Sequence, residues 1–125
     1  MTKSNKISNG IKIAFFGTSE ISVIVLNELN KSGFTPELVV TMPDKPKGRK
    51  LVLTPPPAKV WAQENKVDFV QPAKLDESFL DLLREGGFDL FVVASYGKIL
   101  KSELLDIPKH GTLNVHPSLL PRLRG

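Results

Sequence analysis

Residues 11–33 read IKIAFFGTSEISVIVLNELNKSG, and their order decides the fold. Ile11 to Phe16 is a nearly continuous apolar run, which marks a strand covered on both faces, the habit of parallel sheets. Gly17-Thr18-Ser19 then turns the chain. Thr18 or Ser19 can cap a helix running to about Ser32, and Glu20 suits its positive N-terminal end. Ile21, Ile24, Val25, Leu26 and Leu29 supply its apolar face. Gly33 is placed to end it.

Working outward, Glu37 to Met42 carries a second strand, so strand, helix and strand form a crossover unit with parallel strands. Pro43 to Thr54, PDKPKGRKLVLT, reads as a polar loop holding Lys45, Lys47, Arg49 and Lys50. Such a charge run is a solvated loop by default, although the neighbouring Asp44 and the proline and glycine breaks suggest a defined, mobile finger able to hold phosphates. A helix is expected to begin at Pro57, to contain Val60, Trp61 and Ala62, and to end near Lys66. Trp61 reads as helix packing rather than as a stacking platform. Asp68 to Val70 is a short strand. Asp76 is placed as the N-cap of a helix with Phe79, Leu80, Leu82 and Leu83 inward, stopped by Gly86-Gly87. Phe88 to Ser95, FDLFVVAS, is the central strand, and Tyr96-Gly97 turns away from it. A short helix at Ser102 to Leu105 leads to a last strand, Thr112 to Val115. Met1 to Gly10 is expected to be a flexible tail.

Alternating strands and helices give the α/β class with a Rossmann-like doubly wound parallel sheet, in spatial strand order 3-2-1-4-5. Ligands of such sheets bind beyond the carboxyl ends of the strands, near the point where strand order reverses. Those ends carry Gly17-Thr18-Ser19, Tyr96-Gly97 and Asn114-Val115-His116, three segments expected to border one crevice. The first turn, GTSE, has one glycine where a dinucleotide fingerprint needs three, and no P-loop pattern occurs, which sets a nucleotide-binding reading low.

Composition narrows the class further. The 125 residues suffice for one domain, and 41% apolar with 24% charged is ordinary for a soluble globular protein. The absence of cysteine excludes disulfides and thiolate metal sites. His110 and His116 are too few for a His-rich metal site, and His110 sits in a turn that reads as solvated surface. No run is long enough for a membrane span and no secretory signal core is present, so the expectation is a cytoplasmic protein without metal or membrane partner. The net charge of +4 favours polyanionic partners. Asp81 and Asp89 lie on different elements and make no acid–base pair.

Residues 114–125, NVHPSLLPRLRG, carry the chemistry. On a strand, Asn114 and His116 share a face. An amide that can donate to a developing oxyanion thus sits beside an imidazole that can move a proton. Pro117 and Pro121 stiffen the SLLP loop between and around them, and Arg122 and Arg124 are either anion contacts or solvated charges. This segment resembles the signature of the folate-dependent formyltransferases, and the resemblance runs from about Ile11 to Gly125. FFGTSE is similar to the family's first turn, with Ser19 in place of a proline. MPDKPKGRKLVLTPPPAKVWA is similar to the insertion loop of the tRNA-acting members.

The resemblance implies formyl transfer from 10-formyltetrahydrofolate to the α-amine of initiator methionyl-tRNA. It implies Asn114 and His116 as catalytic residues. It implies Ser118, Leu119, Leu120 and Pro121 at the folate, bordered by Ser95, Tyr96 and Gly97, and Arg49 at the tRNA acceptor end with Lys45, Lys47 and Lys50 beside it. It also implies an aspartate a few dozen residues beyond the histidine and a smaller C-terminal domain. The expectation is therefore that residues 11–125 are an incomplete catalytic domain, truncated at its C-terminal side and inactive or nearly so alone. The alternatives are transfer to glycinamide ribonucleotide or an aminosugar nucleotide, and a folate-binding remnant without catalysis.

Overall fold

The structure, a computed structural model, describes residues 10–116. Ser118, Leu119, Leu120, Pro121, Arg122 and Arg124 lie outside the described residues, as does nearly all of the expected N-terminal tail.

Four strands of the main sheet come in the expected sequence: β1 (Ile13–Phe16), β2 (Leu38–Val40), and, after a separate hairpin of β3 (Lys45–Lys47) and β4 (Val52–Thr54), β5 (Asp68–Val70) and β6 (Leu90–Val93). β7 (Thr112–Asn114) completes it. The sheet order is β5-β2-β1-β6-β7, with every pairing parallel. Counting only the strands of this sheet, that is the expected 3-2-1-4-5.

β1 shows why its sequence does not alternate. Ile13 and Phe15 face one cluster with Val25, Leu26, Trp61 and Val92. Ala14 and Phe16 face another with Phe79, Leu83, Phe91 and Tyr96. Both faces of the strand are buried, so polar residues have no place on it. Its lower end is fixed by Asp89, whose carboxylate accepts from the Lys12 amide at 2.8 Å while its own amide donates to the Lys12 carbonyl at 2.8 Å.

The helices α1 (Glu20–Lys31) and α2 (Pro57–Glu64) cover the first face, and α3 (Glu77–Glu85) and α4 (Ser102–Leu105) belong to the second. Ser19 caps α1 through the Ile21 amide, and Asp76 caps α3 through the Phe79 amide, each satisfying an N–H that the helix cannot. Trp61 is buried, and its indole N–H donates to Asn27 Oδ1 at 2.8 Å, tying α2 to α1.

Three expectations need correction. Ile21 stays substantially exposed, and Ser22 takes the buried position at the start of α1 with Val25 and Leu26 following at helical spacing. Leu82 is exposed, because Phe79, Leu80 and Leu83 already fill the stripe of α3. Pro43 to Thr54 is not merely a loop. Lys45, Pro46 and Lys47 pair antiparallel with Thr54, Leu53 and Val52. Four residues bridge the strands, with Gly48 and Leu51 in the left-handed region and the Leu51 amide donating to the Gly48 carbonyl.

Candidate active site

The chain order turns back between β1 and β6. β2 and β5 lie to one side of β1, β6 and β7 to the other, and the helices that follow β1 and β6 pack on opposite faces of the sheet after leaving a shared carboxyl edge. Here the first turn meets the turn after β6. The Thr18 amide donates to the Ser95 carbonyl at 2.9 Å, Thr18 Oγ1 to the Tyr96 carbonyl at 2.5 Å, and the Ser19 and Ser95 hydroxyls are 2.7 Å apart. Ser95 has φ 57°, a left-handed conformation that costs a non-glycine residue strain and persists only when neighbours fix it. Ser95 and Gly97 are exposed; the Tyr96 ring is buried, edge-on to Phe16. The turn therefore offers its backbone and Ser95 outward, while burial raises the pKa of the Tyr96 phenol and keeps it neutral.

Asn114 pairs with Val93 at the end of β7, and the Val115 amide continues the ladder to the Val93 carbonyl at 2.8 Å. Val115 packs toward the α1 and α2 face, which leaves Asn114 toward α4. There it lines a cleft of about 470 Å³ with Val93, Lys98, Ile99, Leu100 and Leu105. Ile99 is 90% exposed on its rim. Asp106, Gly111 and Thr112 complete the lining, so the apolar side chains share the walls with a lysine, a carboxylate, a hydroxyl and the Asn114 amide. His116 is exposed just past the strand and is not among the residues lining this cleft.

The hairpin supplies a second cleft, of about 320 Å³, where Lys45 and Lys47 line the same space as Thr18, Ser19, Glu20 and Met42. Arg49 and Lys50 are exposed in its four-residue bridge. The hairpin root is held by Asp44. Its carboxylate accepts from Gln71 Nε2 at 2.7 Å and from Lys59 Nζ at 3.2 Å. The Gln71 hydrogen bond, and then Lys59, hold the Asp44 carboxyl below its ordinary pKa, against the contrary pull of desolvation.

Of the residues singled out from sequence, Lys45 and Lys47 meet the first turn, and Ser95 and Tyr96 meet it from the other side. Asn114 lines a different cleft from the two lysines. His110 is exposed, with its amide on the Asp89 carbonyl. Ser22, Lys59, Gln71 and the Lys98–Leu100 wall escaped sequence reading. Only the i, i+3, i+4 spacing of Ser22 to Val25 and Leu26 signalled one of them. Among the described residues, no group of three or more His, Cys, Asp or Glu could hold a metal, and no helix is long and apolar enough to cross a membrane.

Fold and edge together define a doubly wound α/β protein with clefts at the carboxyl ends of its strands. The chain belongs to the formyl transferase family, whose model matches residues 11–125. Methionyl-tRNA formyltransferase of Halalkalibacterium halodurans is 51% identical over 116 residues, covering 92% of this chain and 37% of that protein. The enzyme of the same name from Neisseria meningitidis is 47% identical over 117 residues, covering 92% of this chain and 38% of its own length. This chain thus spans little more than a third of the relatives it matches. Phosphoribosylglycinamide formyltransferase from Streptococcus pneumoniae shares the fold, with TM-score 0.59 and 24% identity over 89% of this chain and 59% of that one.

Proposed function

We propose that residues 11–125 are part of the catalytic domain of an enzyme that transfers a formyl group from 10-formyltetrahydrofolate to the α-amine of methionyl-tRNA, the one-carbon step that prepares the initiator for translation. The observation that carries this reading is the hairpin: Lys45 and Lys47 line one cleft with Thr18 and Ser19, at the edge of the sheet that also bears Asn114. A finger carrying Lys45, Lys47, Arg49 and Lys50 suits an acceptor with a run of phosphates, such as a tRNA, better than one with a single phosphate or diphosphate group. The names of the relatives agree with it, and a cytoplasmic setting follows from it.

In this reading the folate lies in the cleft lined by Ile99, Leu100 and Asn114, bordered by Ser95, Tyr96 and Gly97, with Ser118, Leu119, Leu120 and Pro121 completing the border as the resemblance implies. The methionyl amine attacks the formyl carbon, a new carbon–nitrogen bond forms, and negative charge gathers on the formyl oxygen. The Asn114 amide donates to that oxygen. His116 takes the proton from the attacking nitrogen and returns one to N10 of the folate as the old carbon–nitrogen bond breaks, releasing tetrahydrofolate. Arg49 and Lys50, at the hairpin tip, contact the tRNA acceptor end.

The test is a chimera in which residues 11–125 replace the matching segment of the Halalkalibacterium halodurans enzyme. It is assayed with methionyl-tRNA, glycinamide ribonucleotide and an aminosugar nucleotide. Transfer to methionyl-tRNA alone is expected, and Asn114→Ala should lower its rate by about 100- to 1000-fold with an unchanged melting curve. Transfer to a small acceptor but not to charged tRNA would overturn the reading.

A further inference from the structure

The Thr18 hydroxyl stands between the two sides of the edge. It donates to the Tyr96 carbonyl at 2.5 Å, and it accepts from the Met42 amide at 3.3 Å and from Thr41 Oγ1 at 3.5 Å. One donor and two acceptor positions are thereby used up. Met42 begins the segment leading into the hairpin, and Tyr96 is the centre of the turn after β6. The main chain of Thr18 adds to the same junction. Its amide reaches the Ser95 carbonyl and, at 2.8 Å, the Ser22 hydroxyl, and its carbonyl accepts from the Ala58 amide in α2 at 3.1 Å. Ser22 is fully buried and itself donates to the Ala94 carbonyl at 2.6 Å. The junction is also too tight for any side chain at Gly17, where a Cβ would overlap the Phe15 ring and come within 2.7 Å of the Ala94 carbonyl oxygen.

We propose that Thr18 is a positioning residue that ties the root of the basic hairpin to the Ser95–Gly97 turn, so that RNA held by the hairpin and the ligand bordered by the turn are set in register through one hydroxyl. This rests on the RNA-binding reading of the hairpin only for its consequence; the tie itself is a matter of hydrogen bonds. No other side chain among the described residues is shown bonding to both segments: Gln71 reaches the Met42 carbonyl and Asp44, and Ser19 reaches Ser95. The strained backbone of Ser95 is held from the Thr18 side by its carbonyl, and its hydroxyl is held by Ser19.

The experiment compares amide hydrogen exchange in the 125-residue chain and its Thr18→Val, Thr18→Ser and Ser22→Ala variants. Thr18→Val, which removes the three hydrogen bonds of the hydroxyl, should speed exchange at least about three- to tenfold at both Met42 and residue 18, with Phe91 and Val115 unchanged. Thr18→Ser should restore both. Ser22→Ala should loosen residue 18 but not Met42. Faster exchange at Met42 with residue 18 still protected would overturn the tie, as would failure of Thr18→Ser to restore it. A second arm adds a short single-stranded RNA. In the unaltered chain the signals of Ser95 and Gly97 should move with those of Lys45 and Lys47, and in Thr18→Val only the lysines should respond. Lysine signals that respond without Ser95 and Gly97 in the unaltered chain would also overturn the proposal. If no lysine signal moves, the RNA reading of the hairpin fails, and the exchange pattern still decides the tie.

Discussion

The centre of the sheet and the basic hairpin are built on opposite terms. β1 buries all four of its residues and β6 its central Phe91 and Val92, and Phe16, Phe91 and Tyr96 meet as tilted and edge-on rings. The hairpin exposes Leu51, Val52 and Leu53, each more than 60% open, and keeps its lysines in water. It is held at its root by Asp44, Gln71 and Lys59, not by a core of its own. The sheet draws its stability from burial; the hairpin borrows its position from a few polar contacts, which leaves its surface free for a partner.

That contrast can be tested by substitutions that should fall on one side only. Phe16→Ala should lower unfolding free energy by about 3–5 kcal/mol, because a void opens between two helices and the sheet; a loss under about 1 kcal/mol in a denaturant titration would mean that the centre is far looser than its burial implies. Gly17→Ala should cost about 1–3 kcal/mol by overpacking against Phe15 and the Ala94 carbonyl. Replacing Lys45 and Lys47 together with Ala should leave the melting curve in place. It should weaken RNA binding and flatten the salt dependence by about one unit of log–log slope for each phosphate no longer neutralised. Binding that is unaltered at low salt would remove the hairpin from the interface. Leu53→Ser, on the open face of β4, should change stability by no more than about 0.5 kcal/mol.

Acid separates the two regions as well. The folded pKa of Asp44 is lowered, so its contribution is complete above the ordinary carboxylate value and is lost as pH falls through the lowered one. Below about pH 4 the hairpin signals should therefore broaden or shift before those of β1 and β6 in an NMR pH titration. Simultaneous loss in both regions would show that Asp44 does not govern the root.

The same contrast explains how much could be read from the sequence. IKIAFF and FDLFVVAS announce a parallel sheet because burial on both faces leaves a continuous apolar signature, and the turns at Ser19 and Asp76 carry their caps in plain view. The hairpin hides because Lys45-Pro46-Lys47 neither alternates nor avoids proline, and three-residue strands are too short for periodicity to speak. Ser22 hides for a different reason: its spacing to Val25 and Leu26 sets it on the inward stripe of α1, but a hydroxyl there reads as out of place until its acceptor, the Ala94 carbonyl, is found. The place of Asn114 at the end of the last strand was legible from the alternation around it, whereas the wall at Lys98 to Leu100 depends on where a turn of the chain comes to rest.

β1 carries one more consequence, concerning how the chain finds its alignment while folding. A strand with one wet face is kept from slipping because a shift by one residue would bury its polar side chains; β1 has no such guard, since both its faces are oily. The guard stands at its two ends instead. The reciprocal pair of Lys12 and Asp89 closes the lower end against β6, and the Thr18 junction closes the upper. A slip of one residue would break both latches at once, so in this strand pairing fidelity is written in the polar residues that bracket the apolar run.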